Sequence, residues 1–186
     1  ETSLSDTAAA PKGHLRIDVP GSLGRMILLP ALPQFHARYP DIQIDLGVSD
    51  RTVDVLGDNV DCVLRGGELT DQSLMARRIG ELNYMVCAAP SYLARAGVPT
   101  DPRALDDGAH RIVGYFSARS GRPFPYRLRR GTQTVEAQGR YAIAVNDGSA
   151  YLIAGLAGMG ILRVPEFMAA PHFASALRIG EARYER

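Results

Sequence analysis

The sequence predicts an α/β protein of two lobes, each a sheet covered by helices, and three observations carry that prediction. In the first third of the chain, strand-like and helix-like stretches alternate through short connections, the pattern of a parallel sheet with crossover helices. After Leu74 the rhythm changes, and a fresh series of strands and short helices follows, enough for a second lobe. Across the 186 residues the hydrophobic fraction is 46% and the charged fraction 22%, a balance that can fill a core.

The opening unit is Leu15 to Pro40. Leu15, Ile17 and Val19 alternate with Arg16 and Asp18, the period of a strand with one buried face. Pro20-Gly21 stops that strand, and Ser22 is placed to cap a helix whose apolar stripe is Leu28, Leu32, Phe35 and Tyr39. Pro30 and Pro33 strain an unbroken helix, so an irregular turn is expected near Leu29-Pro30, with regular helix from about Pro30. Ile42 to Val48 alternates as a second strand. A short helix carrying Val53, Leu56 and Val60 follows, capped by Asp50 or Thr52, and Asp61 to Arg65 is a third strand ended by Gly66-Gly67.

Beyond Leu74, Met75 to Ile79 and Asn83 to Ala88 read as strands, and Pro90 to Ala96 as a short helix closed by Gly97. Asp101-Pro102 opens another helical turn. Arg111 to Phe116 is a strand, Tyr126 to Ala137 a hairpin, and Arg140 to Val145 a further strand. Asn146 to Ser149 cap a helix from Ala150 to about Ala157, Ile161 to Val164 is apolar strand, and Pro165-Glu166 starts a last short helix. The chain therefore divides into a tail or helix end at 1–12, a first lobe at 13–86 with a crossing near 82–86, a second lobe at 87–165, and a segment at 166–186 that ends the second lobe and returns toward the first.

Composition narrows the chemistry. The net charge is +1, which gives no overall attraction to nucleic acid or an anionic membrane. Lys12 is the only lysine, so P-loop, Schiff-base and Ser-x-x-Lys chemistry have no lysine outside the N-terminal tail. Cys62 and Cys87 lie in apolar runs and read as buried, reduced thiols, consistent with a reducing compartment. The start of the chain lacks the apolar core of a signal peptide, and no apolar run reaches bilayer length. His14, His36, His110 and His172 have no metal-ligand spacing, and there is no nucleophile elbow. Gly155-Leu156-Ala157-Gly158-Met159-Gly160 sits at the end of a helix, the wrong end for a phosphate cradle, and is better explained by close helix-to-strand packing. Asp50, Asp54, Asp58 and Asp61 read as solvated charge.

Binding residues are more promising, because ligands of open α/β sheets sit beyond the carboxyl ends of the strands. Those ends are Pro20-Gly21-Ser22, Ser49-Asp50 and Arg65-Gly66-Gly67, with Tyr115-Phe116 and Asn146 to Ser149 in the second lobe. Helix starts there present N–H groups suited to a small anion. Each feature also has a structural reading: Ser22 as an ordinary cap, and Arg65 as the partner of a local aspartate rather than a carboxylate-binding fork.

Five segments together carry a family likeness. Gly13 to Ile17 followed by Leu29 to Phe35 and Tyr39-Pro40, Val60 to Gly67, Ala89 to Leu93, and Ala154 to Ile161 running to Pro165 resemble, in order and spacing, the effector-binding domain of LysR-type transcriptional regulators. The resemblance implies two Rossmann-like lobes of the type II periplasmic-binding-protein kind with a ligand cleft between them. It also implies a small-molecule effector and a homodimer or homotetramer; the chemistry of the strand ends, not the resemblance, points to an anion or a polar aromatic acid, and so to an organic acid as effector. DNA would be bound only through an N-terminal winged helix-turn-helix upstream of Glu1, in a cytoplasmic protein without cofactor, metal or catalytic residues. By that likeness the effector contacts are Gly21, Ser22, Leu23, Arg65, Gly66, Tyr115, Phe116, Asn146 and Asp147, to which the strand-end argument adds Ser49. The family returns to the first lobe after Leu177 to Gly180, whereas this chain stops at Arg186, so a truncated C-terminus is expected. The rival readings are an extracytoplasmic solute-binding protein of a transporter and an enzyme on the same scaffold.

Overall fold

The computed structural model describes residues 11–51, 59–66, 75–130, 133–173 and 177–179. The predicted helix through Val53 and Leu56, the tail at 1–10 and residues 180–186 lie outside them. By contact the chain forms two units, one of Glu1–Ser49 with Val53–Arg65 and one of Asp50–Thr52 with Gly66–Arg186. Residues 66–86, grouped with the first lobe on sequence, cluster with the second unit.

In the first unit, β1 (Gly13–Val19) lies at the centre of a parallel sheet in the order β2-β1-β3. Its partner β2 (Ile42–Val48) pairs in full register from Gly13 with Ile42 to Val19 with Val48, as two alternating strands of equal length allow. The third strand, β3 (Cys62–Val63), is shorter than the predicted Asp61 to Arg65. Between β1 and β2 runs a helical segment with three parts: α1 (Gly21–Leu23), a π-helical turn at Gly24–Leu28, and α2 (Leu29–Arg38). The expected irregular turn is thus present, one turn earlier than placed. Pro30 has no N–H to give, and its ring crowds the carbonyl four residues back. In the wider turn before it, the Leu29 amide reaches the Gly24 carbonyl five residues away, and regular α-helix resumes with Pro30 in its first turn.

Among the described residues, the second unit's regular structure begins with β4 (Tyr84–Ala88), α3 (Pro90–Ala96) and a 3₁₀ turn at Pro102–Leu105 that Asp101 caps through the Arg103 amide at 2.8 Å. Met75 to Ile79 is not a strand; it is irregular, and Met75 and Ile79 are exposed. There follow β5 (Arg111–Tyr115), the hairpin of β6 (Tyr126–Arg130) and β7 (Gln133–Ala137), β8 (Arg140–Val145), α4 (Gly148–Leu156), β9 (Leu162–Pro165), α5 (Glu166–Ala169) and β10 (Arg178–Ile179). β5 pairs parallel with β8, and β4 lies between β10 and β9, antiparallel to both. Reciprocal backbone bonds between Arg111, Val113 and Ile161, at 2.9 and 3.0 Å, join these two groups.

The core of this unit forms two clusters, one of which gathers Cys87, Val113, Leu152, Leu162, Val164, Met168 and Leu177. Tyr92, Leu105, Ile112, Tyr126, Leu128 and Ile161 belong to the second. Gly155 and Gly160 show why the glycine-rich run exists. A Cβ on Gly155 would overlap the Leu162 side chain, and one on Gly160 would sit 2.7 Å from the Ile112 carbonyl carbon. The run lets α4 and the chain after it lie directly against β9 and β5, the packing role read from sequence.

Cys62 is exposed and Cys87 buried, both as free thiols. The prediction of a buried Cys62 fails: β3 is two residues long, with Val63 half-buried and Cys62 exposed. Burial lifts the Cys87 thiol from its ordinary 9.0 to about 12. Among the described residues no helix is long and apolar enough to cross a membrane.

Candidate functional site

The polar strand ends fall into one group in each unit. In the first unit, Asp18 near the end of β1 is buried, although strict alternation put it on the solvent face with Arg16. Its carboxylate pairs with the Arg65 guanidinium, which also donates to the Leu64 carbonyl at 2.9 Å. Backbone bonds fix the same corner: Leu64 N–H donates to the Asp18 carbonyl at 2.8 Å and Ser49 N–H to the Val19 carbonyl at 3.0 Å. Gly47 leaves the room the carboxylate needs, since a Cβ there would meet Asp18 Oδ2 at 2.5 Å. Arg65 is therefore paired with Asp18, an aspartate 47 residues away in the chain that the fold brings beside it.

Ser22 is not the cap of its helix. The helix opens directly after Pro20, Gly21 is its first residue, and no side chain caps it. Pro20 fixes an extended entry, so the chain turns into the helix one residue earlier than a serine cap requires. Gly21 is buried, while Ser22 and Leu23 are half-buried. Gly66, beyond Arg65, is exposed.

In the second unit the group forms around the start of α4. Asp147 is the N-cap, its Oδ1 accepting from the Ala150 amide at 2.8 Å. A second carboxylate, Asp50, accepts from the Gly148 amide at 2.6 Å and from the Tyr115 hydroxyl at 3.2 Å. Two amides of the helix start are thus bonded to the protein's own carboxylates, which the helix dipole favours. Burial, and then the charge of Asp50, push the Tyr115 hydroxyl well above its ordinary pKa, so it remains a neutral donor. Its ring meets Tyr151 edge-on, centroids 5.4 Å apart, and stacks near Phe124 at 6.2 Å. Phe116 is held by its amide on the Val145 carbonyl at 2.9 Å and is half-buried, and Asn146 is exposed.

Sequence reasoning missed Asp61 as a structural acceptor and offered Asp50 as a cap only for the helix directly after it, not for α4. Asp61 was read as solvated charge, yet its Oδ2 takes the Arg16 amide at 2.7 Å. It also missed the buried tyrosines beneath the site. The Tyr126 hydroxyl lies 2.5 Å from that of Tyr151 and 2.9 Å from the Val113 and Ile161 carbonyls, while the Arg163 amide donates to Tyr151 at 3.1 Å. Tyr126 and Tyr151 are core tyrosines whose hydroxyls tie β5, α4 and β9 together. Among the described residues no cluster of three or more His, Cys, Asp or Glu could hold a metal ion.

The sequence model of the LysR substrate-binding domain matches residues 8–182. The chain belongs to the LysR substrate-binding domain family. It is 38% identical over 160 residues, 85% of this chain and 52% of the relative, to the uncharacterized HTH-type transcriptional regulator YhjC of Escherichia coli. It is 35% identical over 179 residues, 95% of this chain and 52% of the relative, to an HTH-type transcriptional regulator of Xanthomonas campestris. The chain thus spans about half the length of these LysR relatives. Among solved structures, the regulatory domain of CrgA, a LysR-type regulator from Neisseria meningitidis, superimposes with a TM-score of 0.79 at 26% identity, covering 95% of this chain and 84% of that one. The LysR domain described here has the type II periplasmic-binding-protein fold, as its sequence resemblance implied. The family is one of transcriptional regulators, and the comparisons favour that reading over a transport receptor.

Proposed function

We propose that this chain is the effector-sensing part of a cytoplasmic DNA-binding regulator that acts as a homodimer or homotetramer and reaches DNA through a winged helix-turn-helix outside this chain. The observation that carries the reading is the family match over residues 8–182 together with relatives that are HTH-type regulators about twice as long. The domain is non-catalytic: it binds a small molecule more tightly in one arrangement than in another and so shifts the population of the regulator.

The proposed effector contacts are Gly21, Ser22, Leu23 and Ser49 of the first unit and Tyr115, Phe116, Asn146 and Asp147 of the second. Arg65 and Gly66 act at the margin, with Arg65 held by Asp18. The proposed effector is a small organic acid, whose carboxylate would compete with Asp50 for the Gly148 amide. This reading is supported by the neutral, donating Tyr115 hydroxyl and by the half-buried Ser22 and Leu23.

The experiment is a thermal-shift screen of the chain against small organic acids, followed by calorimetry with any acid that stabilises it. Ser22→Trp is expected to abolish the shift while keeping the melting temperature of the free chain. Recovery of the acid chemically unchanged after prolonged incubation is expected of a sensor; turnover would replace this proposal with an enzyme. Full binding by Ser22→Trp would remove Ser22 and its neighbours from the site.

A further inference from the structure

Charge is unevenly spread along the chain. Residues 108–135 hold six arginines, at 111, 119, 122, 127, 129 and 130, and no aspartate or glutamate, so the rest of the chain carries an excess of five carboxylates. The middle of this stretch is a built turn between β5 and β6. Ser117 N–H donates to the Arg122 carbonyl at 3.0 Å, Gly121 N–H to the Ser117 carbonyl at 2.8 Å, and Phe124 N–H to the Tyr115 carbonyl at 2.8 Å. Gly121, at φ +67°, supplies the left-handed corner that a side chain would resist.

The side chains of this turn are donors. Ser117 Oγ accepts from the Arg119 and Ser120 amides at 3.3 and 3.4 Å, and Ser120 Oγ from the Arg122 amide at 3.3 Å, which leaves each hydroxyl its own proton to give. Arg119 and Arg122 are exposed, and neither takes part in an ion pair among the described residues. On β6, Arg127 points outward between the buried Tyr126 and Leu128 and pairs with Glu136 at 3.0 Å, an exposed pair that salt or a stronger anion would displace at little cost.

We propose that the Ser117–Arg122 turn and the outward face of β6 form a contact surface for the phosphate backbone of duplex DNA. Guanidinium groups and hydroxyls are the side chains that position a protein on phosphates, and they carry no base preference. A stretch of six arginines whose one paired carboxylate among the described residues, Glu136, is exposed and readily displaced suits a duplex, with a phosphate every ~1.7 Å of axis, better than a protein surface of mixed sign. The proposal rests on the regulator reading only in that a DNA-bound parent brings flanking duplex within reach.

The test is fluorescence anisotropy of the chain on a labelled random-sequence duplex from 20 to 150 mM NaCl, with polyglutamate as competitor. The wild type is expected to bind weakly, with an affinity that falls as salt rises. Arg119→Gln/Arg122→Gln should make the log–log salt slope shallower by ~1.8, two phosphate contacts' worth. Arg119→Lys/Arg122→Lys should keep the slope, and Arg38→Gln/Arg77→Gln, which removes equal charge elsewhere, should leave it unchanged. Absence of binding at 20 mM NaCl, an unchanged slope in the Arg119/Arg122 glutamine variant, or an equal effect of the Arg38/Arg77 variant would overturn the proposal. Displacement by polyglutamate as effective as by unlabelled duplex would overturn it too, in favour of an acidic protein. No effector enters this assay, so its outcome is independent of the Ser22 experiment.

Discussion

At the scale of single residues, two aspartates carry more of this structure than their sequence surroundings suggest. Asp50 behaves as a remote helix cap, with one oxygen shared between the Gly148 amide and the Tyr115 hydroxyl. Asp50→Ala leaves that amide without its carboxylate while Asp147 still holds the Ala150 amide. The expected cost is that of a lost helix cap, about 0.5–2 kcal/mol, measured as a shift of the urea midpoint at constant slope. The same variant should bind an acid effector more tightly if the effector uses the Gly148 amide, because the competing carboxylate is gone. Asp18 illustrates the limit of reading residues from periodicity. It alternates correctly for a solvent-facing position, but at the end of a central strand both faces are enclosed, and the Arg65 guanidinium compensates the buried charge.

At the scale of elements, local pattern and tertiary packing agree where a segment is long and regular. β2, the β6–β7 hairpin and β8 stand where alternation put them, and α3 ends at Gly97 with φ +78°, the glycine the pattern required. The pattern fails for short segments. Met75 to Ile79 has strand composition but is irregular and pairs with no strand among the described residues, and β3 is cut to two residues. The α4–β9 contact offers a test of packing at this scale. Gly155→Ala forces a methyl group into Leu162, a residue with no exposed surface, so either the helix moves or the core repacks. A loss of about 1–3 kcal/mol is expected, the usual cost of overpacking. A thermal midpoint equal to wild type would show that α4 can shift without penalty.

At the scale of the whole molecule, the buried hydroxyls and thiol of the second unit make stability depend on alkaline pH. Tyr126 and Tyr151 are held above their ordinary 10.0, Tyr151 to about 12, and Cys87 rises from 9.0 to about 12, in each case chiefly because burial disfavours the charged form. Above pH 9 the unfolded chain releases these protons and the folded chain keeps them, so the folded state binds more protons and stability falls as pH rises. Melting temperature is therefore expected to be insensitive to these groups below pH 9 and to drop steadily between about pH 9 and 12. A flat profile there would mean that these groups are open to solvent. The sequence by itself determined the alternation of strands and helices, the glycine-rich packing run and the family likeness, because each is written in neighbouring residues whose spacing is a local property. Only the tertiary structure decided which polar side chains are already bonded. Asp18 finds Arg65 47 residues away, and Asp50 finds Gly148 98 residues away. Such pairings depend on where the fold brings distant strand ends, a property that no local period records.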